Sequence, residues 1–210
     1  MRWTNLTFDE VNSLSREYYE EYFGEIKALD KDQIEDRVLL AMALEDRFLD
    51  VLSLIEVRKN ADEPYLSDAI DMFTMAFLAV ALRRIDDDHI RDTASQFGID
   101  VALSTYRHPD EDYMTSIDRA INMAATESNA IMCYGELADA VKEGKTMKCW
   151  NTIIDGHERE WHHEVNQTVV PITEPFEVGG ELLMYPLDTS LGASADNIAN
   201  CRCTATYYYD

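Results

Sequence analysis

The sequence predicts an α+β fold: a helical region over residues 1–144, then a small mixed α/β domain over residues 145–210 with short antiparallel strands. Three observations carry this. Apolar residues recur at helical spacing through the first two thirds of the chain, and after Gly144 they fall into short β-branched and aromatic runs. Turn-forming residues are sparse before Gly144 and dense after it, at Pro171, Pro175, Gly179-Gly180 and Pro186. Capping signals stand where one helical run gives way to the next.

Thr7-Phe8-Asp9-Glu10 has the capping-box spacing and opens a helix running towards Leu29. Asp30-Lys31-Asp32-Gln33 repeats that signal, and Ile34, Val38, Leu39, Met42, Phe48, Leu52 and Ile55 carry the second helix to about Arg58. Residues 60–64 break it. Residues 65–85, with Ile70, Phe73, Phe77, Leu78 and Leu82, are expected to form the most buried helix of this region. Asp86-Asp87-Asp88 places negative charge at the next helix N-terminus, where the macrodipole favours it. That helix is expected to pause at Gly98 and to end near His108-Pro109. A long helix over residues 110–143 closes with Gly144 in the C′ position. Beyond it, residues 146–154, 168–172, 176–178, 181–185 and 204–209 read as extended, and residues 155–165 as a short helix or irregular segment. Tyr18, Tyr19, Tyr22 and Phe23 form an aromatic stripe on the first helix that fits either a core or a docking face.

The chain has 210 residues and 46% hydrophobic content, enough for one good core or two small domains. Its formal charge of −23 repels nucleic acid at long range, so a partner surface should be basic or apolar and specific nucleic-acid binding is not expected. The longest apolar stretch, residues 72–82, falls well short of a bilayer span, so no membrane association is expected. No apolar run precedes a cleavage site in the first residues, which makes the cytoplasm, or a particle assembled there, the expected compartment. In that setting Cys133, Cys149, Cys201 and Cys203 read as thiols or metal ligands.

The residues with chemistry to offer gather in the last third. His157, His162 and His163 lie among Asp155, Glu158, Glu160 and Glu164. His162, Cys201 and Cys203 would supply three ligands to a borderline-soft ion such as zinc, with Asp155 or His157 as the fourth. The Cys-x-Cys spacing is tighter than the usual Cys-x₂-Cys. The simpler alternative has His162 bonded to a backbone carbonyl and the cysteines packed as small apolar residues. A nuclease reading would make His162 or His163 a general base and Arg159 an anion partner, but the acidic surface opposes such a substrate. There is no phosphate-binding glycine loop, nucleophile elbow or His-Glu-x-x-His box. No catalytic residue is therefore assigned, and no cofactor is expected apart from a structural zinc.

Laid out in order, these residues are Trp150, Asp155, Arg159 through His162, an apolar run into Pro175-Phe176, Gly179-Gly180, Pro186-Leu187-Asp188, and Asn200-Cys201-Arg202-Cys203. The set resembles the phage head morphogenesis family typified by the Mu F minor head protein, over about residues 120–206. Thr126-Glu127 looks like the Thr-Glu that precedes the domain in many members. Three positions depart from the pattern: Gln167 and Leu187 stand where the family has turn glycines, and Ala125 where it has arginine. The resemblance implies a non-enzymatic minor capsid protein of a tailed bacteriophage or prophage. Such a protein would associate with the portal and other head proteins, act in head morphogenesis, packaging or ejection, and reside at the portal vertex inside the virion after assembly in the host cytoplasm. It also implies that the motif residues are scaffold of the small domain. A toxin-like nuclease centred on His162 and Arg159, or a zinc-stapled interaction module, are the alternatives.

Overall fold

The computed structural model describes residues 8–61 and 63–210, with side chains from residue 13 onward. The fold is α+β. Five long helices come first: α1 (Phe8–Gly24), α2 (Lys31–Asn60), α3 (Leu66–Ala81), α4 (Asp88–Arg107) and α5 (Ile117–Lys142). Then follow β1 (Met147–Asn151), α6 (Glu160–Val165), β2 (Val169–Pro171), β3 (Phe176–Val178), β4 (Glu181–Leu183), α7 (Ala195–Ile198) and β5 (Thr204–Tyr208).

Local signals set several helix ends. Asp30 caps α2 through Gln33 N–H while the Gln33 side chain returns to Asp30 N–H, the reciprocal box expected there. Such a cap contributes about 1 kcal/mol. Asp87 accepts from Ile90 N–H at the start of α4. The cap expected on Thr7 lies outside the described residues. At the end of α5, Gly144 N–H bonds to Val141 C=O and Lys145 N–H to Ala140 C=O, a Schellman closure with Gly144 at φ +79°.

Three expectations are corrected. The last long helix starts at Ile117, not at 110, because Ser116 caps it after a 3₁₀ turn over Asp112–Thr115. Helix α4 runs through Gly98 without a pause. A Cβ there would come within 2.7 Å of Ile70 C=O and 2.1 Å of Thr74 Oγ1, so the glycine serves the close approach of α3 and α4. The most buried helix is α5, not α3, whose outer face exposes Met75.

The reason is that α5 contributes to three hydrophobic clusters. Ile121, Ala124, Ala125 and Ile131 pack into the helical core with Tyr19, Phe23, Leu44, Phe48, Phe73 and Phe77. Its other face supplies Ala130 to a cluster with Trp150, Phe176 and Leu183, and Cys133, Leu137 and Ala140 to one with Ile172 and Tyr185. Tyr19 and Phe23 of the aromatic stripe are core, Tyr19 O–H donating to Glu45 at 2.9 Å, while Tyr18 remains exposed. Among the described residues no helix is long and apolar enough to cross a membrane.

Strand β1 is central in an antiparallel sheet of order β2-β1-β5, with Lys148 opposite Val170 on one side and Tyr207 on the other. Strands β3 and β4 form a separate hairpin. Its two-residue loop, Gly179-Gly180, has φ of +60° and +82°, the positive pair that a tight hairpin turn requires.

A buried polar chain ties the two regions together. Arg37 on α2 donates to both Glu136 carboxylate oxygens on α5 at 2.8 and 3.0 Å, and to Asn129 Oδ1 at 2.9 Å. Asn129 in turn donates to Cys203 C=O at 3.0 Å, just before β5 begins.

Candidate metal centre

Helix α6 and the segment before β5 bring His162, Cys201 and Cys203 together, all three buried, with their ligand atoms within 4.8 Å of one another. His162 Nδ1 lies 3.6 Å from Cys201 Sγ and 3.4 Å from Cys203 Sγ. In a tetrahedral zinc site, bonds of usual length place imidazole nitrogen and thiolate sulfur about 3.5 Å apart. The pair distances therefore fit a tetrahedron edge.

The histidine tautomer follows from its neighbour. Asn197 Nδ2 donates to Val178 C=O at 2.8 Å and to Glu181 at 3.0 Å, which fixes the amide orientation. Its Oδ1 accepts from Trp161 Nε1 at 3.3 Å and faces His162 Nε2 at 2.7 Å. His162 Nε2 must then carry a proton, and in the neutral ring the Nδ1 lone pair points at the two sulfurs. A second partner of this kind is what orients ligating histidines generally. Thr152 adds to the positioning, its hydroxyl donating to His162 C=O at 2.7 Å.

The electrostatics suit a shared charge. A hydrogen bond from Cys201 draws the Cys203 thiol well below the usual range despite burial, with His162 helping. Cys201 is pushed well above it by that same hydrogen bond and by burial. Burial opposes charge on His162, but its bonds to Cys203 and Asn197 outweigh this and raise its pKa. Cys203 N–H also donates to Cys201 Sγ at 3.4 Å. Beside the three groups is a cavity of about 30 Å³, lined also by His157, Arg159 and Arg202, with room for an ion or one water.

Asp155 does not join the three. Its carboxylate is taken by the Arg202 guanidinium and by His157 N–H. Arg202 also pairs with Glu25 at 2.5 Å and lies over the Tyr22 ring, so the residue between the two cysteines is fastened to the end of α1. Arg159 donates to Ala199 C=O at 2.6 Å, and exposed His163 pairs with Glu158. A bond from its own backbone N–H, then those from His163 and from the Gly156 and Asp155 N–H groups, lower the pKa of the Glu158 carboxyl to about 2.

Of the remaining motif positions, Trp150 and Phe176 pack beside His162. Trp150 is fully buried, 5.2 Å from the Phe176 ring and 6.0 Å from that of His162. Pro175 leads into Phe176, and Pro186 precedes a turn in which buried Asp188 accepts from Met184 and Ser190 N–H, both at 2.8 Å. Among the described residues, three that are not glycine have positive φ: Gln167 at 63°, Leu187 at 72° and Asn200 at 56°.

Sequence reasoning missed Asn197, Thr152 and Lys148. Lys148 is buried on β1, donates to Met184 C=O at 2.6 Å and lies 4.9 Å from the Phe176 ring centroid. Burial lowers its pKa to about 8, against the opposing pull of Asp188. A lysine amid strand residues signals a solvated face by pattern alone, and α7 is too short to announce Asn197 by periodicity. Comparison with protein-family models, with curated proteins and with solved structures finds no match for this chain.

Proposed function

We propose that this protein is a minor head protein of a tailed bacteriophage or prophage, associated with the portal and acting in head morphogenesis, packaging or ejection without catalysis of its own. One observation carries the reading. The positions where the resemblance calls for turn glycines, Gln167 and Leu187, have positive φ here, and the third such residue is Asn200 of the closing Asn-Cys-Arg-Cys. Backbone of that kind favours glycine and tolerates asparagine. An alignment made by chance would have no reason to put its missing glycines on these residues. Trp150, His162, Phe176, Cys201 and Cys203 support it further by meeting in one buried cluster although they are far apart in sequence.

His162, Cys201 and Cys203 are proposed as ligands of a structural zinc that holds α6 against the approach to β5. Its fourth ligand would be a water, or His157 turned inward from the same small cavity. Its contribution would be to cross-link the domain, as structural zinc does in small folds.

Co-expression with the portal and major capsid proteins of the same phage tests the head reading. The protein should copurify with the portal and be retained in procapsids, and procapsids that exclude it would refute the assignment. Elemental analysis tests the metal: about one zinc per chain is expected, lost in the Cys201→Ser, Cys203→Ser double variant. Metal-free protein that melts identically with and without chelator would refute the centre.

A further inference from the structure

A second cavity, which shares Asn200 with the small one at the candidate metal centre, differs from it in size and lining. It has a volume of about 330 Å³ and opens between α4, α5 and the loop over residues 185–200. That is within the range of small-ligand pockets, roughly 300–1,000 Å³. Its walls are mainly apolar, with Phe97, Val101, Met123, Ile131, Leu187 and Ile198 contributing. Three charged side chains reach it: Asp100 from α4, and Arg119 and Glu127 from α5.

They are not equivalent. Arg119 is satisfied by Thr105 Oγ1 at 2.7 Å, Met114 C=O at 2.5 Å and Val101 C=O at 3.4 Å. Asp100 is exposed and accepts from Gln96 at 2.9 Å. Glu127 has neither a hydrogen-bond nor a salt-bridge partner among the described residues. It is half-buried on the cavity wall, and its carboxylate oxygens keep access to solvent there. Its surroundings are not merely neutral by default: Arg119 is two helical turns away, about 12 Å along the axis, and committed to other acceptors. A carboxyl without a protein partner on a mainly apolar wall is free to pair with a ligand that enters the cavity.

We infer that this cavity binds a small organic cation, an apolar aromatic or branched aliphatic body carrying an amine, with the ammonium paired to Glu127. An ammonium supplies both the charge and the donors that Glu127 lacks, and the apolar body fills the walls. A carboxylate ligand would instead meet Glu127 and Asp100 in a strongly acidic protein. Burial alone pushes Glu127 up to about 8, with no protein group acting against it, which agrees with an incomplete site. The inference is independent of any role in phage heads.

Calorimetric titration of the full chain with phenylpropylamine, phenylpropanol and phenylpropionate tests it. The amine should bind about tenfold or more tightly than the alcohol, with no binding of the carboxylate. Glu127→Gln should remove the amine's advantage and leave the alcohol's affinity unchanged, which also shows that the variant cavity is intact. The inference is overturned if none of the three binds, if the amine is no better than the alcohol, or if the Gln variant keeps the preference. Loss of alcohol binding in that variant would also overturn it, by making Glu127 a shaping group and not a ligand.

Discussion

His162 Nε2 stands 2.7 Å from Asn197 Oδ1, and the amide is held in that orientation by its own bonds to Val178 and Glu181. The asparagine thus decides which imidazole nitrogen faces the cysteines. Replacing Asn197 with alanine frees the ring to turn and to change tautomer. Zinc affinity should fall about 10–100-fold in a chelator competition. Unchanged affinity would show that Asn197 only packs.

Glu127 gives a pH-dependent effect of definite sign. Its folded pKa of about 8 stands above the ordinary carboxyl value of 4.5, so the folded protein retains a proton that the unfolded chain releases. The stability linked to that proton is fully present below pH 4.5 and is lost as pH rises through 8. Glu127→Gln should therefore melt like the parent near the acidic limit and roughly 3 °C or more above it at the alkaline one. Parallel melting curves at all pH values would place the carboxyl in water.

Two positive-φ residues should respond oppositely to glycine. Gln167 is exposed, so Gln167→Gly relieves backbone strain and should stabilise the protein by about 1 kcal/mol. Leu187 has the same backbone but a buried side chain in the Trp150 cluster. Leu187→Gly should destabilise by roughly 2 kcal/mol or more, since the lost packing exceeds the relieved strain. Urea denaturation of both variants measures the contrast.

The Arg37–Glu136 ion pair tests the buried polar chain. Glu136→Leu leaves the Arg37 guanidinium, fully buried, with only Asn129 and the Gln33 carbonyl as partners. An uncompensated buried charge of this kind costs about 3–5 kcal/mol, and Arg37→Met in the same chain should recover most of it. A single variant with unchanged urea midpoint would refute the assignment.

Legibility followed the range of the interactions involved. The Asp30–Gln33 box and the Gly144 closure act over a few residues, and both were readable from spacing. So was the change from helix to strand after α5. The start of α5 was not, because Arg119 occupies the position where a capping box would carry Glu or Gln, and Ser116 alone gave little signal. Gly98 reads as a pause until Ile70 and Thr74 of α3 are seen beside it. At the candidate metal centre, His162, Cys201 and Cys203 were legible as residue types that could hold an ion. The exclusion of Asp155 was not, since it depends on Arg202 reaching back to both Asp155 and Glu25.

The sheet order has a consequence for the timing of synthesis. Strand β1 is central, yet its partner β5 emerges from the ribosome long after it, and Met147 must wait for Tyr208. Until then one edge of β1 is open, Trp150 lacks the cysteine segment that covers it, and Asn129 has no Cys203 carbonyl to meet. Long-range pairing of this kind is slow, and unpaired edges recruit other chains. A nascent chain stalled before residue 200 should thus be the aggregation-prone species, and the arrival of β5 is what covers the second edge of β1.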